Sequence, residues 1–375
     1  MPFRFSLGDE NNVTLTVANG FPYDINVKII EQLPEQFQLR NFVRYTRIKP
    51  IERAHLKYQL RPTTRGEHHF GSLLCYLHTP LGLLQRRFTT ARESMVKVYP
   101  SYQQLKKFHL LASSDSAYAG AKKVRRLGHS MEFEKIKTYV KGDDIRTVNW
   151  KATARTGSLM VNMYTDTREQ QIYAVIDKGR SMKMPFDGMT LLDYAINASL
   201  SLLNVVLMKH DRAGLVTFSN KMGNIVPAEK RSGQLQHIIE TLYNQQTDFK
   251  ESDYETLLAT VHKRISQRSF LLFFTNFETL SSLDRQLPYL KRLATRNLVC
   301  VVFFQNTLLK EIQHSHPDTT EGIYIKTIAD RFDFEKRQIV KELRRHGIIA
   351  LLTTPQQLTV DVINKYLEVK ARQMI

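Results

Sequence analysis

The chain has 375 residues, with 54 Lys and Arg against 36 Asp and Glu, so its formal net charge is +18. This length exceeds one ordinary domain and suits two, each able to bury its own core. The charge predicts attraction to acidic surfaces such as anionic lipid, nucleic acid or an acidic protein. Because the basic residues are scattered rather than grouped with aromatics, a membrane surface or a protein partner is favoured over nucleic acid.

The two cysteines, Cys75 and Cys300, each lie inside an apolar run. This context predicts buried, reduced thiols rather than a disulfide framework, and it is typical of a reducing compartment. The sequence shows no secretory leader, and no apolar run reaches the roughly 18 uninterrupted residues that a membrane-spanning helix needs.

Residues 1–100 alternate apolar and polar side chains in short bursts that are separated by turn signals. The pattern predicts strands at Val13–Val17, Ile25–Ile29, His55–Leu60, Ser72–Leu77 and Met95–Tyr99. Several strands at this spacing predict an antiparallel β-sandwich of the immunoglobulin or fibronectin type, with a boundary near Pro100. His68, His69 and His78 do not predict a metal site, because adjacent histidines on a strand point to opposite faces.

Residues 101–168 combine a basic connector, Lys122–Arg126, with a polar stretch from Glu132 to Tyr164. Within that stretch Asp143 is predicted to cap a short helix, and Asp144 adds negative charge at the positive end of the helix dipole. Gly157 is predicted to end this helix, since glycine accepts the left-handed conformation that commonly closes one.

Residues 169–375 change to alternating strands and helices. Apolar runs predict core strands at Gln171–Ile176, Ala213–Phe218, Phe270–Phe274, Leu298–Phe304 and Ile348–Leu352, and an edge strand at Asn224–Val226. Helices are predicted at Leu191–Met208, Gln234–Tyr243, Tyr254–Ile265, Leu283–Thr295, Lys326–Arg345 and Gln357–Arg372. This alternation predicts an open, mostly parallel sheet with helices on both faces, which binds ligands beyond the carboxyl ends of its strands.

The sequence lacks a phosphate-binding loop, a nucleophile elbow, a zinc-protease helix, paired CxxC motifs and a kinase signature. An enzyme is therefore not predicted. The remaining catalytic alternative is a metal-dependent hydrolase, which would need Asp143, Asp144 and Asp177 to converge around a metal ion.

One long pattern is specific enough to indicate a family. It comprises Glu132-Phe-Glu134, Gly142-Asp143-Asp144, Arg146 and Asn149-Trp150-Lys151-Ala-Thr153-Ala-Arg155, and a strand with Asp177-x-x-x-Ser181-Met follows it. The pattern resembles domain-of-unknown-function family fifty-eight, a bacterial family with a von Willebrand factor A-like domain, typically encoded beside a MoxR-type AAA+ ATPase. Members usually begin with two transmembrane helices, so the resemblance implies a fragment whose soluble domains face the cytoplasm at the inner membrane.

The resemblance also implies an ion site at three loops. In von Willebrand factor A domains these loops supply Asp-x-Ser-x-Ser, a Thr and an Asp, which hold a divalent ion. Asp177, Ser181 and Thr256 match this pattern, whereas Gly179 and Asn276 replace a Ser and the Asp. The expectation is a degenerate site for Mg²⁺ or Mn²⁺, with Glu278 or Asp253 as substitute ligands. The alternative is a contact surface that works without metal.

The expected function is a non-enzymatic adaptor that partners a MoxR-type AAA+ ATPase in the assembly or maturation of client proteins. The signature residues are expected to couple the two domains at their seam: Asp143, Asp144, Arg146, Trp150, Lys151 and Arg155. Trp150, the only tryptophan, is expected in the core or the seam rather than as an exposed interface residue. A basic nucleic-acid-binding module and the hydrolase are the alternatives from other classes.

Overall fold

A computed structural model describes residues 4–37, 39, 42–78, 84–90, 94–101, 132–165, 169–186, 188–247, 249–314 and 319–374. The connector Lys122–Arg126 lies outside the described residues. The N-terminal part is built from strands β1 Arg4–Ser6, β2 Asn11–Ala18, β3 Ile25–Glu31, β4 Val43–Ile48, β5 Arg53–Leu60, β6 Gly66–Phe70, β7 Leu73–His78, β8 Gln85–Thr90 and β9 Ser94–Tyr99.

These strands form three sheets, in the orders β1-β9-β6, β2-β5 and β4-β3-β7-β8. Alternation along β3 turns Ile25, Val27 and Ile29 inward, where they pack with Ile48 against apolar residues of β2 and β5. Cys75 is only partly buried at the margin of this cluster. One pairing departs from the antiparallel prediction, because β1 runs parallel to β9.

The polar stretch folds into a hairpin of strands β10 Glu132–Thr138 and β11 Met160–Thr165, which pair antiparallel. A 3₁₀ turn at Ile145–Thr147 and helix α1 Trp150–Thr156 connect the two strands. Gly157 ends α1 at φ 66°, as predicted. The predicted cap was wrong, because Asp144 caps the 3₁₀ turn and Asn149 caps α1.

The C-terminal part adds strands β12 Gln171–Asp177, β13 Pro185–Phe186, β14 Met189–Thr190, β15 Arg212–Phe218, β16 Met222–Glu229, β17 Phe270–Phe274, β18 Leu298–Phe304 and β19 Ile349–Thr353. Its helices are α2 Leu191–Met208, α3 Gln234–Leu242, α4 Tyr254–Arg264, α5 Leu280–Ala294, α6 Thr307–His314, α7 Thr320–Arg345 and α8 Leu358–Ala371. The strands and helices predicted here are confirmed, with bounds that differ by a few residues. Strand β18 and helix α2 match their predicted bounds.

Six of these strands form one sheet in the order β16-β15-β12-β17-β18-β19, in which only the edge strand β16 runs antiparallel. Numbered by sequence, this is the order 3-2-1-4-5-6 of doubly wound folds, which reverses between β12 and β17. Two separate apolar clusters cover the two faces of the sheet, so the fold is mixed α/β with a doubly wound sheet.

Helix α2 is buried along most of its length because its apolar side chains pack on one face of this sheet. It is also the one helix in the described ranges that passes a length and composition test for a membrane span, and 78% of the tested window is buried. The core helix of a soluble protein passes the same test.

The N-terminal strands and the doubly wound sheet meet through a buried ion pair. Arg65 Nε lies 2.7 Å from Asp193 Oδ1 on α2, and these side chains are only 5% and 8% exposed. The remaining guanidinium nitrogens of Arg65 donate to the carbonyl oxygens of Leu242 and Gln245. Tyr99 OH donates to Glu240 at 3.2 Å in the same region. We call this contact the seam.

Candidate functional site at the carboxyl edge of the sheet

The carboxyl edge of the doubly wound sheet holds the loops that follow β12 and β17. The strand order reverses between these two strands, and a crevice opens where their chains leave the sheet in opposite directions. A cavity of about 380 Å³ lies there, and residues from both loops line it, including Asp177, Ser181 and Asn276. Ser252 in the loop before α4 and Tyr254, the first residue of that helix, complete its wall.

Asp177 ends β12 at the bottom of this cavity and is only 3% exposed. Its Oδ1 accepts hydrogen bonds from the Gly179 amide at 2.8 Å and from the Ser252 hydroxyl. Its Oδ2 accepts from Thr275 Oγ1 at 2.7 Å. Burial raises the pKa of Asp177, and these hydrogen bonds oppose the rise by stabilising the carboxylate.

Gly179 is what lets Ser252 reach this carboxylate. A Cβ at position 179 would overlap the Ser252 hydroxyl and would lie 3.0 Å from Asp177 Oδ1. The backbone of Gly179 is extended, with φ −67°, so the glycine is required for space and not for conformation. The Ser252 hydroxyl therefore occupies room that a side chain at position 179 would fill.

Thr256 lies apart from Asp177. Its hydroxyl donates to Asp253 Oδ2 at 2.5 Å in the first turn of α4, and the side chain is exposed. Asp253 caps α4 by accepting from the backbone amides of Glu255 and Thr256, and the Thr256 hydrogen bond lowers the pKa of Asp253. Both predicted ligands thus serve a helix cap.

Asn276 follows β17, and a lysine of α7 holds its side chain. Lys336 Nζ donates to Asn276 Oδ1 at 2.8 Å and to the Phe277 carbonyl oxygen at 2.5 Å. Burial lowers the pKa of Lys336 to about 8, and the charge of Glu278 opposes that shift. The Asn276 oxygen that was expected to ligate a metal ion therefore accepts a hydrogen bond from an ammonium group.

The oxygens expected to ligate a divalent cation already take part in internal hydrogen bonds. Both Asp177 oxygens and Asn276 Oδ1 accept such bonds, and Thr256 Oγ1 donates one to Asp253. Among the described residues, no group of three or more His, Cys, Asp or Glu side chains is arranged to hold a metal ion. Mg²⁺ or Mn²⁺ binding at this edge stays a prediction that these contacts do not support.

The hydrolase alternative needs three carboxylates to converge, and Asp143, Asp144 and Asp177 do not form such a group. Asp143 accepts from Lys137 Nζ at 2.7 Å, which lowers the pKa of Asp143, and from the Val140 amide. Asp144 accepts from the Arg146 amide. Both carboxylates are bound within the hairpin, whereas Asp177 is bound within the sheet edge.

The signature residues do not build the seam in the described part of the chain. Trp150 is 71% exposed, so its predicted place in the core or seam was wrong. Lys151 and Arg155 are likewise exposed on α1, and Arg146 is exposed on the 3₁₀ turn. The contacts described for Asp143 and Asp144 stay within the hairpin, and the seam is built instead around Arg65 and Asp193.

The rim of the edge cavity is charged and solvated. Glu251 accepts from Arg180 at 2.9 Å and from Arg285 at 3.3 Å, and all three side chains are more than half exposed. Such exposed pairs contribute little to stability, but they give the rim a defined charge pattern.

Sequence reasoning missed three groups here: the hydroxyl of Ser252, the Tyr254 hydroxyl that donates to Thr275 at 3.0 Å, and Lys336. Ser252 has a weak signal, since it lies near the predicted start of α4. Lys336 has none, because 60 residues separate it from Asn276.

The fold and its edge define an open α/β domain with a polar, charge-rimmed edge at the topological switch point. The family model described as "Protein of unknown function DUF58" matches residues 135–339, more than half of the sequence, so the chain belongs to this family. The predicted family is thereby confirmed. The chain is also similar to "Uncharacterized protein YeaD" of Bacillus subtilis (strain 168), with 24% identity over 241 residues. That match covers 63% of this chain and 58% of the relative, less than two thirds of its length.

Two solved structures are similar at low scores. The SpRpn10 VWA domain matches with a TM-score of 0.31 and 10% identity, over 52% of this chain and 94% of that one. Proximal thread matrix protein 1 from the mussel byssus matches with a TM-score of 0.27 and 11% identity, over 52% and 47% of the two chains.

Proposed function

We propose that this protein is a non-enzymatic interaction adaptor that binds its partner at the carboxyl edge of a von Willebrand factor A-like sheet. The N-terminal strands, which we take to be a β-sandwich, are held to it at the seam. The observation that carries the proposal is the satisfied state of the edge: the Asp177 carboxylate is bound by hydroxyl and amide donors. Such a group builds a rigid surface, whereas a catalytic base needs a free lone pair directed at a substrate.

The rim supports the same proposal. Arg180, Glu251 and Arg285 surround the cavity with alternating charges on exposed side chains. Charge complementarity of this kind steers encounter and selects a partner. The partner class comes from the family resemblance: a MoxR-type AAA+ ATPase, with the chain held at the inner face of a bacterial membrane.

The test uses interferometry to measure direct binding of the purified chain to a purified MoxR-type ATPase from the same genome. We expect Arg285→Glu on the rim to weaken binding about tenfold or more, because a reversed rim charge meets like charge on the partner. Arg264→Glu is the matched control, since exposed Arg264 lies at the far end of α4 from the edge. Equal effects of the two variants, or no binding by the unaltered chain, would remove the proposal.

Metal dependence is tested in the same assay with an ATPase variant that binds without nucleotide. We expect a chelator to leave affinity unchanged, because the internal hydrogen bonds already use the expected ligand oxygens. A loss of binding with chelator that Mg²⁺ restores would instead support an ion site at Asp177.

A second candidate function rests on the outer face of the sheet β4-β3-β7-β8. Cross-strand partners share a face, and the register aligns Tyr45, Lys28, Tyr76 and Arg87 in one row. The next row holds Arg47, Asn26, His78 and Gln85. Although the basic residues are scattered along the sequence, this face interleaves three cations with two aromatic side chains.

Such a face suits single-stranded nucleic acid, whose bases stack on aromatics while cations hold the phosphates. If this candidate is correct, affinity for an oligonucleotide falls steeply with salt, and joint replacement of Tyr45 and Tyr76 by Ala weakens binding about tenfold or more. No binding near physiological salt would exclude it.

A further inference from the structure

The carboxyl edge carries a second cavity of about 310 Å³, beside the one that Asp177 lines. It lies where β17, β18 and β19 end and where α6 and α7 pack over the sheet. Most of its wall is apolar and comes from Met184, Pro185, Phe186, Leu191, Phe304, Leu309, Phe332 and Pro355. A mostly apolar cavity with a few convergent polar groups is the usual form of a ligand site.

Lys336 supplies the cation of this cavity. An ammonium group carries three N–H donors, and two of them bind Asn276 Oδ1 and the Phe277 carbonyl oxygen. Within the described ranges the third N–H has no hydrogen-bond partner. Both groups that hold the ammonium are neutral, so they fix its position without cancelling its charge.

No nearby carboxylate forms an ion pair with Lys336, although the charge of Glu278 acts on it from a distance. Asp333 accepts from Arg337 at 2.8 Å and from the Gln305 amide at 3.0 Å, so its oxygens are already bound. Glu278 is exposed at the cavity mouth, and in the described structure no carboxylate lies within ion-pair distance of Lys336. A partly buried ammonium without a counter-ion is costly, and an incoming anion would relieve that cost.

Helix α7 extends the cavity into an apolar stripe. Phe332 lines the cavity, and Ile328, Ile325 and Tyr324 lie four, seven and eight residues before it on the same helical face. Their exposed fractions are 38%, 38%, 44% and 68% in that order. From Tyr324 to Lys336 the helix rises about 18 Å, the length of about five extended residues.

We propose that this cavity and the α7 stripe bind a partner peptide whose carboxylate meets the Lys336 ammonium while neighbouring apolar side chains cover Phe332 and Ile328. The inference rests on the proposed adaptor function, for which it names the recognised chemistry. Because the stripe ends at the cavity, the carboxylate is that of the peptide C-terminus, and an internal acidic side chain is the alternative that the experiment tests.

The probes are fluorescein-labelled hexapeptides with four apolar residues, measured by fluorescence anisotropy against the whole chain. One peptide has a free C-terminus, a second is amidated with an internal Glu, and a third is amidated with Gln in place of that Glu. We expect the peptide with the free C-terminus to bind at least tenfold more tightly than the Gln peptide. Tight binding by the internal-Glu peptide alone would overturn the assignment of the C-terminus.

The variants test the assigned cation. Lys336→Gln should weaken carboxylate-peptide binding about tenfold, and Lys336→Arg should restore part of it. Lys341→Gln is the matched control, because it removes the same charge from an exposed position of the same helix. Ile328→Glu adds a negative charge to the stripe without touching Lys336, so it should also weaken binding while the chain stays folded.

Equal binding of the carboxylate and Gln peptides, or unchanged binding by Lys336→Gln, would overturn the proposal. Binding of decanoate but of no peptide would also overturn it, since the occupant would then be a lipid. ATPase binding that survives Lys336→Gln would leave the adaptor function standing while excluding this cavity from it. Lys336-dependent peptide binding without any ATPase binding would leave the cavity standing and remove the ATPase.

Discussion

The seam and the carboxyl edge both bury charge, but they treat it differently. At the seam, Arg65 and Asp193 neutralise each other at 2.7 Å, and backbone carbonyls take the remaining guanidinium donors. At the edge, Asp177 and Lys336 are held by neutral hydroxyl, amide and carbonyl groups. The seam is therefore electrostatically closed and suits permanent attachment, whereas the edge keeps one charge, the Lys336 ammonium, that an outside group can still complement.

The largest expected loss of stability comes from removing the ion pair at the seam. Arg65→Ala leaves the Asp193 carboxylate buried without its cation, which should lower the free energy of unfolding by about 3 to 5 kcal/mol. Urea denaturation followed by circular dichroism measures this change. Arg61→Ala removes an exposed arginine of the same segment, and its effect should stay below about 1 kcal/mol. Similar losses in both variants would contradict the distinction.

The next largest loss of stability is expected when a side chain is added at Gly179, beside Asp177. Gly179→Ser forces the Ser252 hydroxyl away from Asp177, so it should cost about 1 to 3 kcal/mol of unfolding free energy. The compensating variant combines Gly179→Ser with Ser252→Gly, which returns the room and should recover most of the loss in thermal denaturation. A double variant as unstable as the single one would show that Ser252 is not the group displaced.

Asp177→Asn tests how the buried carboxyl group at the edge makes stability depend on pH. Burial raises the pKa of Asp177, so the protonated form stabilises the fold; that stability is complete below about pH 4 and is lost as pH rises through the folded-state pKa. Asn cannot ionise, so the stability of the variant relative to the unaltered chain should increase as the pH rises from 4 to 7, which urea denaturation at a series of pH values measures. Parallel stability curves would show that the hydrogen bonds to the carboxylate outweigh its burial.

The smallest expected effect lies outside both regions. Trp150→Ala should change the free energy of unfolding by at most about 0.5 kcal/mol, because the indole is mostly exposed. Chemical denaturation measures it, and a loss above about 2 kcal/mol would mean that Trp150 packs against another part of the chain.

The local pattern of apolar residues was enough to predict the strands and helices of the C-terminal part. Continuous apolar runs such as Phe270–Phe274 and Leu298–Phe304 have few alternatives to buried parallel strands, and α2 shows a clear helical period. Strands β4 and β8 were not predicted, since their apolar alternation is broken by exposed polar residues. Strand β6 was not predicted because two of its three buried positions are Gly66 and His68, which give no apolar pattern. The short helix α6 was also not predicted.

The sequence was enough to predict which loops form the site, but not which side chains meet there. Asp177 follows a core strand, so its place at the edge is visible in sequence. The partners that decide its chemistry are not, because Ser252 and Lys336 meet their targets across 75 and 60 residues. Trp150 was misplaced for a related reason: a large aromatic side chain predicts burial, but no pattern shows which surface would cover it.

The seam has a mechanical consequence. Asp193 Oδ1 binds Arg65, while its Oδ2 accepts from the Thr190 amide and hydroxyl to complete the capping box at the start of α2. One carboxylate thus fastens the N-terminal strands to the first turn of the helix that packs along β12. Together with the other seam contacts, this carboxylate would transmit a force between the N-terminal strands and the strand that carries Asp177.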